Sequence, residues 1–230
     1  MTAVWITRTE PGASAMARYF RRVSIRSCIA PLLAIEGVSA SPPKECFDLA
    51  VYLSQHAVRY AGIDVVKAQR HMAIGATTAR AVSRLGFMCE LPERPSSEGI
   101  LETVSTTLRT GSSILIVCGE DGRNLLRTRL AELGYKVRVW SVYRRVCSSR
   151  KPRLDDEIDV VELSSVTSLQ TYWKTVRQRA LTSTEDPTLI VPSARIGKLA
   201  KLRGFERIHV ARNASPSSYS RVIRKLNEHG

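Results

Sequence analysis

The stretch Ala73-Ile-Gly-Ala-Thr-Thr-Ala-Arg-Ala-Val-Ser-Arg-Leu-Gly-Phe87 is answered later by Ile190-Val-Pro-Ser-Ala-Arg-Ile-Gly-Lys-Leu-Ala-Lys-Leu-Arg-Gly-Phe205. Each runs from an apolar strand-like end through a turn of small residues into a helical segment that a glycine closes. The likeness extends outward. Downstream, both copies reach Pro-Ser-Ser, at 95–97 and 216–218, before a new helix. Upstream, Val51-Tyr-Leu-Ser54 and Val161-Glu-Leu-Ser164 end strands and open helices in the same way. The chain therefore reads as a duplication of one strand-to-helix plan.

Further strands are expected at Val4 to Thr7, Ser27 to Pro31, Leu49 to Leu53, His71 to Ile74, Ser113 to Cys118, Val137 to Tyr143, Val160 to Leu163, Thr188 to Val191 and Arg207 to Ala211. Between them lie amphipathic helices. In Asn124 to Leu133 the residues Leu126, Leu130 and Leu133 share one face, and Gly134 supplies the stop. Such alternation implies an α/β fold of two similar lobes, each a parallel sheet flanked by helices. Helical pattern is lost around Leu32 to Val38, and Arg144 to Arg153 is polar and basic. Read as crossings, these stretches (linkers 35–37 and 144–152) insert a second lobe, 38–143, into a first lobe made of 1–34 and 153–230. The competing layout is one doubly wound sheet with a long edge loop.

With 230 residues, 43% hydrophobic and 24% charged, the chain is an ordinary globular one that needs no disulfide or metal staple. Its unusual quantity is charge. The net +14 points to an anionic partner, whether nucleic acid, acidic lipid or a polycarboxylate small molecule. Five scattered cysteines without a CxxC pair fit reduced thiols in the cytoplasm. The apolar run at the N-terminus is too short for a signal peptide, and none is long enough to span a membrane, so no membrane partner is expected.

Full P-loop, HExxH and nucleophile-elbow patterns are absent, and His56, His71, His209 and His229 each stand alone, as structural or surface histidines do. The acidic runs Glu120-Asp121 and Asp155-Asp156-Glu157 fit turns. Small hydroxyl residues instead recur where strands give way to helices: Ser54, Thr77, Thr78, Ser164, Ser165 and Ser193. In an open α/β sheet these turns lie at the carboxyl edge, where ligands bind and helix amino ends favour carboxylate or phosphate. For each of them a plain N-cap, worth about 1 kcal/mol, is the competing role.

Taken in order, Thr7-Arg8 with Glu10-Pro11, Leu53-Ser-Gln-His-Ala-Val58, Ile74-Gly-Ala-Thr-Thr-Ala79, Pro95-Ser-Ser-Glu-Gly99, Cys118-Gly119 with Gly122-Arg123, Val142-Tyr-Arg-Arg145, Leu163-Ser-Ser165 and Val191-Pro-Ser-Ala-Arg195 resemble the uroporphyrinogen-III synthase family along the whole chain. The resemblance implies a cofactor-free cyclase with no metal. Its substrate would be hydroxymethylbilane, a linear tetrapyrrole rich in carboxylates, handed over transiently by hydroxymethylbilane synthase. It also implies Tyr143 as the catalytic residue assisting departure of the terminal hydroxyl, since a phenol keeps its proton at neutral pH. Substrate contacts fall to Ser54, Thr77, Thr78, Ser164, Ser165 and Ser193, with charge from Arg8, Arg123 and Arg144. The chain departs from the family where Leu53-Ser54 and Leu163-Ser164 stand in place of Thr-Ser, where Ser-Ala-Arg stands in place of Ser-Glu-Arg, and where Glu162 interrupts an apolar strand.

A degenerate homologue and a basic nucleic-acid-binding α/β protein are the competing readings. Only 6% of residues are aromatic and no RNP-like or helix-turn-helix pattern occurs, so no nucleic acid is expected as partner. The linkers leave no apolar surface stripe, so a monomer is expected.

Overall fold

The computed structural model describes residues 2–62, 66–120, 124–148, 158–176 and 187–229. In chain order, the first half contains β1 (Ala3–Ile6), α1 (Gly12–Arg22), β2 (Arg26–Ile29), β3 (Leu33–Gly37), β4 (Phe47–Tyr52), α2 (Gln55–Ala61), β5 (Ala68–Ala73), α3 (Ala76–Ser83) and α4 (Ser97–Thr107). The second half contains β6 (Ser113–Gly119), α5 (Asn124–Glu132), β7 (Lys136–Cys147), β8 (Val160–Glu162), α6 (Val166–Val176), β9 (Thr188–Val191), α7 (Ala194–Leu202), β10 (Ile208–Val210) and α8 (Pro216–His229). The chain divides into two compact units, one of residues 1–34 and 146–230, the other of 35–145.

Each unit has its own five-stranded sheet, with orders β10-β9-β8-β1-β2 and β3-β7-β6-β4-β5. Two separate sheets exclude the single doubly wound layout. The pairs β1–β2, β1–β8, β8–β9 and β9–β10 are parallel, as are β4–β5, β4–β6 and β6–β7. Strand order reverses between β1 and β8 in one unit and between β4 and β6 in the other. At such a reversal the flanking loops part, leaving a crevice beyond the carboxyl ends of the strands.

The strands read as near-continuous apolar runs because helices cover both faces of each sheet. Alternate residues serve opposite layers. Leu49 and Val51 join Ile114, Ile116, Leu126 and Leu130 on one side, whereas Ala50 and Tyr52 join Leu115, Val117, Trp140 and Val142 on the other. In the first unit Val4, Ile6, Val160 and Ile190 meet Phe20 and Tyr219, while Trp5, Val161, Leu189 and Val191 meet Tyr172 and Phe205. The duplication reappears in the backbone: α3 and α7 each end before a glycine of positive φ, Gly86 at +86° and Gly204 at +81°.

All nine expected strands occur, with ends moved by a few residues. A tenth, β3, falls in the stretch expected as a crossing, and residues 35–37 belong to it. Residues 144–147, also expected as linker, continue β7, while 149–152 lie outside the described residues. Both segments are amphipathic only in part: β3 is half-buried to exposed, and Arg144 and Arg145 point outward at a polar strand end. No helix among the described residues is long and apolar enough to cross a membrane.

Candidate active site

In the 35–145 unit, the end of β4 and the ends of β6 and β7 bring three features together. The ladder between β6 and β7 slips after Cys118 so that Gly119 pairs with Tyr143. A slip of this kind re-aims the side chain beside it. The Tyr143 ring then lies on Gly119, where a β-carbon would come within 2.7 Å of two ring atoms. Only glycine admits that approach.

The phenol is held from the other side by Ser54. This residue, in extended backbone at the start of α2, accepts the Ala57 amide proton on Oγ at 3.0 Å. Its own hydroxyl donates to Tyr143 Oη at 3.0 Å. The run from amide to serine to phenol leaves the Tyr143 proton directed away from Ser54, and the ring itself is 3% exposed. His56, one position beyond the first residue of α2, tilts against the Tyr143 ring at 5.6 Å between centroids, and Tyr60 lies 6.3 Å away. The Arg145 guanidinium stands 5.7 Å from the same ring. Burial, then the charges of Arg145 and Arg59, hold the His56 imidazole below its ordinary pKa. His56, Tyr60 and Gly119 are site members that single-residue reading passes over. The one clue to His56 in the sequence is its place two residues after a capping serine.

At the same sheet edge, α3 begins after Gly75 with no side-chain cap. Thr78 is buried there, and Thr77 is exposed with Oγ1 accepting from Arg80 at 3.4 Å. Arg144 is an exposed partner of Glu36 at 3.2 Å. Arg123 lies outside the described residues.

The other unit carries a different arrangement at its strand reversal. Glu162, fully buried at the end of β8, is the residue that interrupts the apolar run. Arg8, just past β1, donates to its Oε1 from Nε at 3.1 Å and from Nη2 at 2.5 Å, while the Thr7 amide donates to Oε2 at 3.3 Å. The Thr7 hydroxyl donates to the Glu162 carbonyl. Arg8 also reaches the Ala214 carbonyl at 3.1 Å and stands over the Tyr219 ring. Its charge is thus already matched within the fold. Burial, with Glu162 as second cause, pushes the Tyr219 phenol up, and that hydroxyl donates to the Leu163 carbonyl at 3.2 Å.

Ser165 caps α6, accepting from the Ser168 amide at 3.0 Å while Ser168 Oγ accepts from the Ser165 amide at 2.9 Å, a reciprocal box. The capping role therefore falls one residue later than in the Leu53-Ser54 copy, and Ser164 is half-buried between strand and cap. Ser193 begins α7 in extended backbone but makes no side-chain cap. The helices α3 and α7, the paired elements of the duplication, are thus alike in starting uncapped by a side chain. Among the described residues no cluster of His, Cys, Asp or Glu is arranged to hold a metal.

Two parallel α/β units, each with a strand reversal and hydroxyl-bearing helix starts at the carboxyl edge, define a duplicated, doubly wound α/β protein. The family model described as uroporphyrinogen-III synthase HemD matches residues 14–220, and the chain belongs to that family of enzymes. It is 30% identical over 196 residues to a uroporphyrinogen-III synthase of Salmonella typhimurium (strain LT2), which covers 76% of this chain and 78% of that protein. A uroporphyrinogen-III synthase of Escherichia coli (strain K12) is 29% identical with the same coverage. Among solved structures, a uroporphyrinogen III synthetase from Helicobacter pylori aligns with a TM-score of 0.66 at 13% identity, over 98% of this chain and all of that one. A mutant uroporphyrinogen III synthase from Thermus thermophilus aligns with 0.59 at 17% identity, over 99% and 100%. At these identities the two structures speak for the fold.

Proposed function

We propose that the chain is a uroporphyrinogen-III synthase that cyclises hydroxymethylbilane with loss of water and inversion of the last pyrrole ring. The observation that carries this reading is the hydrogen-bonded run Ala57 N–H to Ser54 Oγ–H to Tyr143 Oη. A phenol that accepts from a serine is polarised as a donor, and this serine is itself fed by the positive end of a helix. Tyr143 donates its proton to the departing terminal hydroxyl, and water leaves with the electron pair of the carbon–oxygen bond. The electrophilic azafulvene formed is attacked through the substituted carbon of the last ring. The spiro intermediate opens and recloses with that ring turned over, and a ring carbon gives up its proton to the Tyr143 phenolate, which restores both the pyrrole and the phenol.

The remaining work is positional. Closing without inversion needs no enzyme, so the protein must hold the reactive chain in the arrangement that forms the spiro bond. The starts of α3 and α7, with Thr77, Thr78 and Ser193, receive substrate carboxylates through backbone N–H groups. Ser164 and Ser165 do so beside α6, and Arg123 adds charge. Arg8 acts through Glu162 rather than on a carboxylate of the substrate. The same reading gives a cytoplasmic monomer that needs no cofactor and receives its substrate from hydroxymethylbilane synthase.

The test generates hydroxymethylbilane in situ with its synthase, adds this protein and separates the oxidised uroporphyrin isomers. Isomer III is expected to rise with enzyme. Isomer I alone at every enzyme concentration overturns the proposal. Tyr143→Phe is expected to lower kcat about a hundredfold, the lower range for a lost general acid; unchanged kinetics remove the phenol from the step.

A further inference from the structure

Along the outer strand of its sheet, the first unit carries an open groove of about 660 Å³ between α1 and β2. It is lined by Ser14, Ala17, Arg18 and Arg21 from one face of the helix, by Ser24 and Ile25 from the turn, and by Arg26, Ser27 and Ile29 from the strand. None of these is acidic or aromatic. The nearby Glu10 is turned to the helix start, accepting from the Ser14 amide and hydroxyl at 3.1 and 2.8 Å.

The strand bordering the groove is the edge of its sheet, since β2 pairs with β1 and has no neighbour on its other side among the described residues. Just past the strand, the Ala30 amide donates to the Ile6 carbonyl at 3.2 Å. Stepping back by the two-residue period, the peptide groups of Cys28 and Arg26 face β1, so those of Ser27 and Ile29 face the groove. An edge that offers amides and carbonyls in a row is a template for another strand. Ile29 adds an exposed apolar side chain at 38%.

We propose that this groove is a docking site for an acidic, extended peptide segment of a partner protein, added as a strand to β2. The backbone of the segment pairs with Ser27 and Ile29. Its carboxylates meet Arg18 and Arg21 along the helix, and its small apolar side chains rest on Ala17, Ile25 and Ile29. Charge complementarity decides for an acidic sequence: the described lining carries arginines and no carboxylate. The open ladder decides for a peptide over a nucleic acid, which has no strand backbone to pair and for which this groove offers no aromatic platform.

The test uses the full chain and a fluorescein-labelled eight-residue peptide of alternating glutamate and valine, followed by anisotropy at physiological salt. Saturable binding is expected, with amide exchange at Ser27 and Ile29 slowed about tenfold or more at saturation. The Arg18→Glu/Arg21→Glu variant is expected to bind at least about tenfold more weakly while its melting temperature and circular dichroism stay unchanged. Methylating alternate peptide nitrogens should abolish binding, and a lysine–valine peptide should not bind. The proposal is overturned if the methylated peptide binds as well as the parent. It is equally overturned if oligouridylate or polyphosphate protects Ser27 and Ile29 where the peptide does not, or if no peptide binds at millimolar concentration. In that last case the arginines act as guards that keep the strand edge unpaired.

Discussion

At the scale of single residues, Tyr143 depends on what is missing beside it. Its ring occupies the space that a β-carbon on Gly119 would need, and a phenol ring tethered at Ser54 has no easy way to give. Gly119→Ala should therefore displace the hydroxyl by tenths of an ångström or more and lower kcat about tenfold or beyond, with a smaller change in KM. Isomer assays on the folded variant check this; full activity would mean the ring is not fixed by that contact. Glu162 poses the opposite problem, a buried charge with its partners in place. Arg8→Met alone strands that carboxylate and should cost about 3–5 kcal/mol in denaturant unfolding, whereas Arg8→Met with Glu162→Leu should recover most of the loss. In the sequence, Glu162 is visible as an interruption and Arg8 as a cation. Their pairing is a through-space fact between residues that stand more than 150 positions apart, which no local pattern carries. Tyr143 is legible only through the order of motifs around it, and Gly119 only as a member of one.

At the scale of elements, the hydroxyl residues at the helix starts separate into those that cap and those that do not. Ser54 and Ser165 are bonded to amides of their own helices, while Ser193 begins α7 without a side-chain cap. Ser54→Ala is accordingly expected to cost about 1 kcal/mol of stability and to slow turnover as well, because Tyr143 loses its donor. Ser193→Ala should change stability by less than about 0.5 kcal/mol and raise KM alone, as for a residue that meets only the substrate. Equal stability losses for the two would contradict this division. Strands flanked by helices on both faces are legible because their apolar runs are continuous, as in Ile114 to Cys118. The strand β3 is not: Leu33-Ala-Ile-Glu-Gly37 is a half-covered edge, and an edge strand with a glutamate and a glycine has the composition of a linker. The basic end of β7 is hidden for the same reason, since its arginines face water while its backbone stays in the ladder. The duplication, by contrast, could be read directly, because each copy needs the same sequence of apolar end, small turn and closing glycine.

At the scale of the whole molecule, acid should unfold the protein in two stages. Burial holds His71 below its ordinary pKa, with its Nδ1 3.1 Å from the Tyr52 hydroxyl and its ring against Phe87, and burial and neighbouring arginines do the same for His56. Both bind protons more readily unfolded, so stability is complete above about pH 6.5 and is lost as pH falls below it towards the folded-state values. Asp48, which accepts from the Ser113 amide and hydroxyl, and Glu90, paired with Arg70, are held below the usual carboxylate range. Their contribution persists to about pH 4 and fails beneath it. Denaturant midpoints measured from pH 8 to pH 3 should fall first near pH 6 and again near pH 4, with the first fall reduced in His71→Gln. A flat profile down to pH 5 would refute the histidine part. The +14 charge acts at this scale too. It draws polyanions to the surface without naming one, and it makes association with any acidic partner sensitive to salt.

The path of the chain through its two sheets has a consequence for its synthesis. The central strand of the first sheet, β8, pairs with β1, and the Ala3 amide is held by an aspartate 156 residues further on. Residues 35–145, in contrast, form their sheet from one continuous run. As the polypeptide leaves the ribosome, that inner run has every strand it needs while β1, with β2 at one side, still waits for β8 at the other. The opening residues therefore spend the translation of more than half the protein without their second sheet partner, and this short stretch is the part of the chain most exposed to aggregation during synthesis.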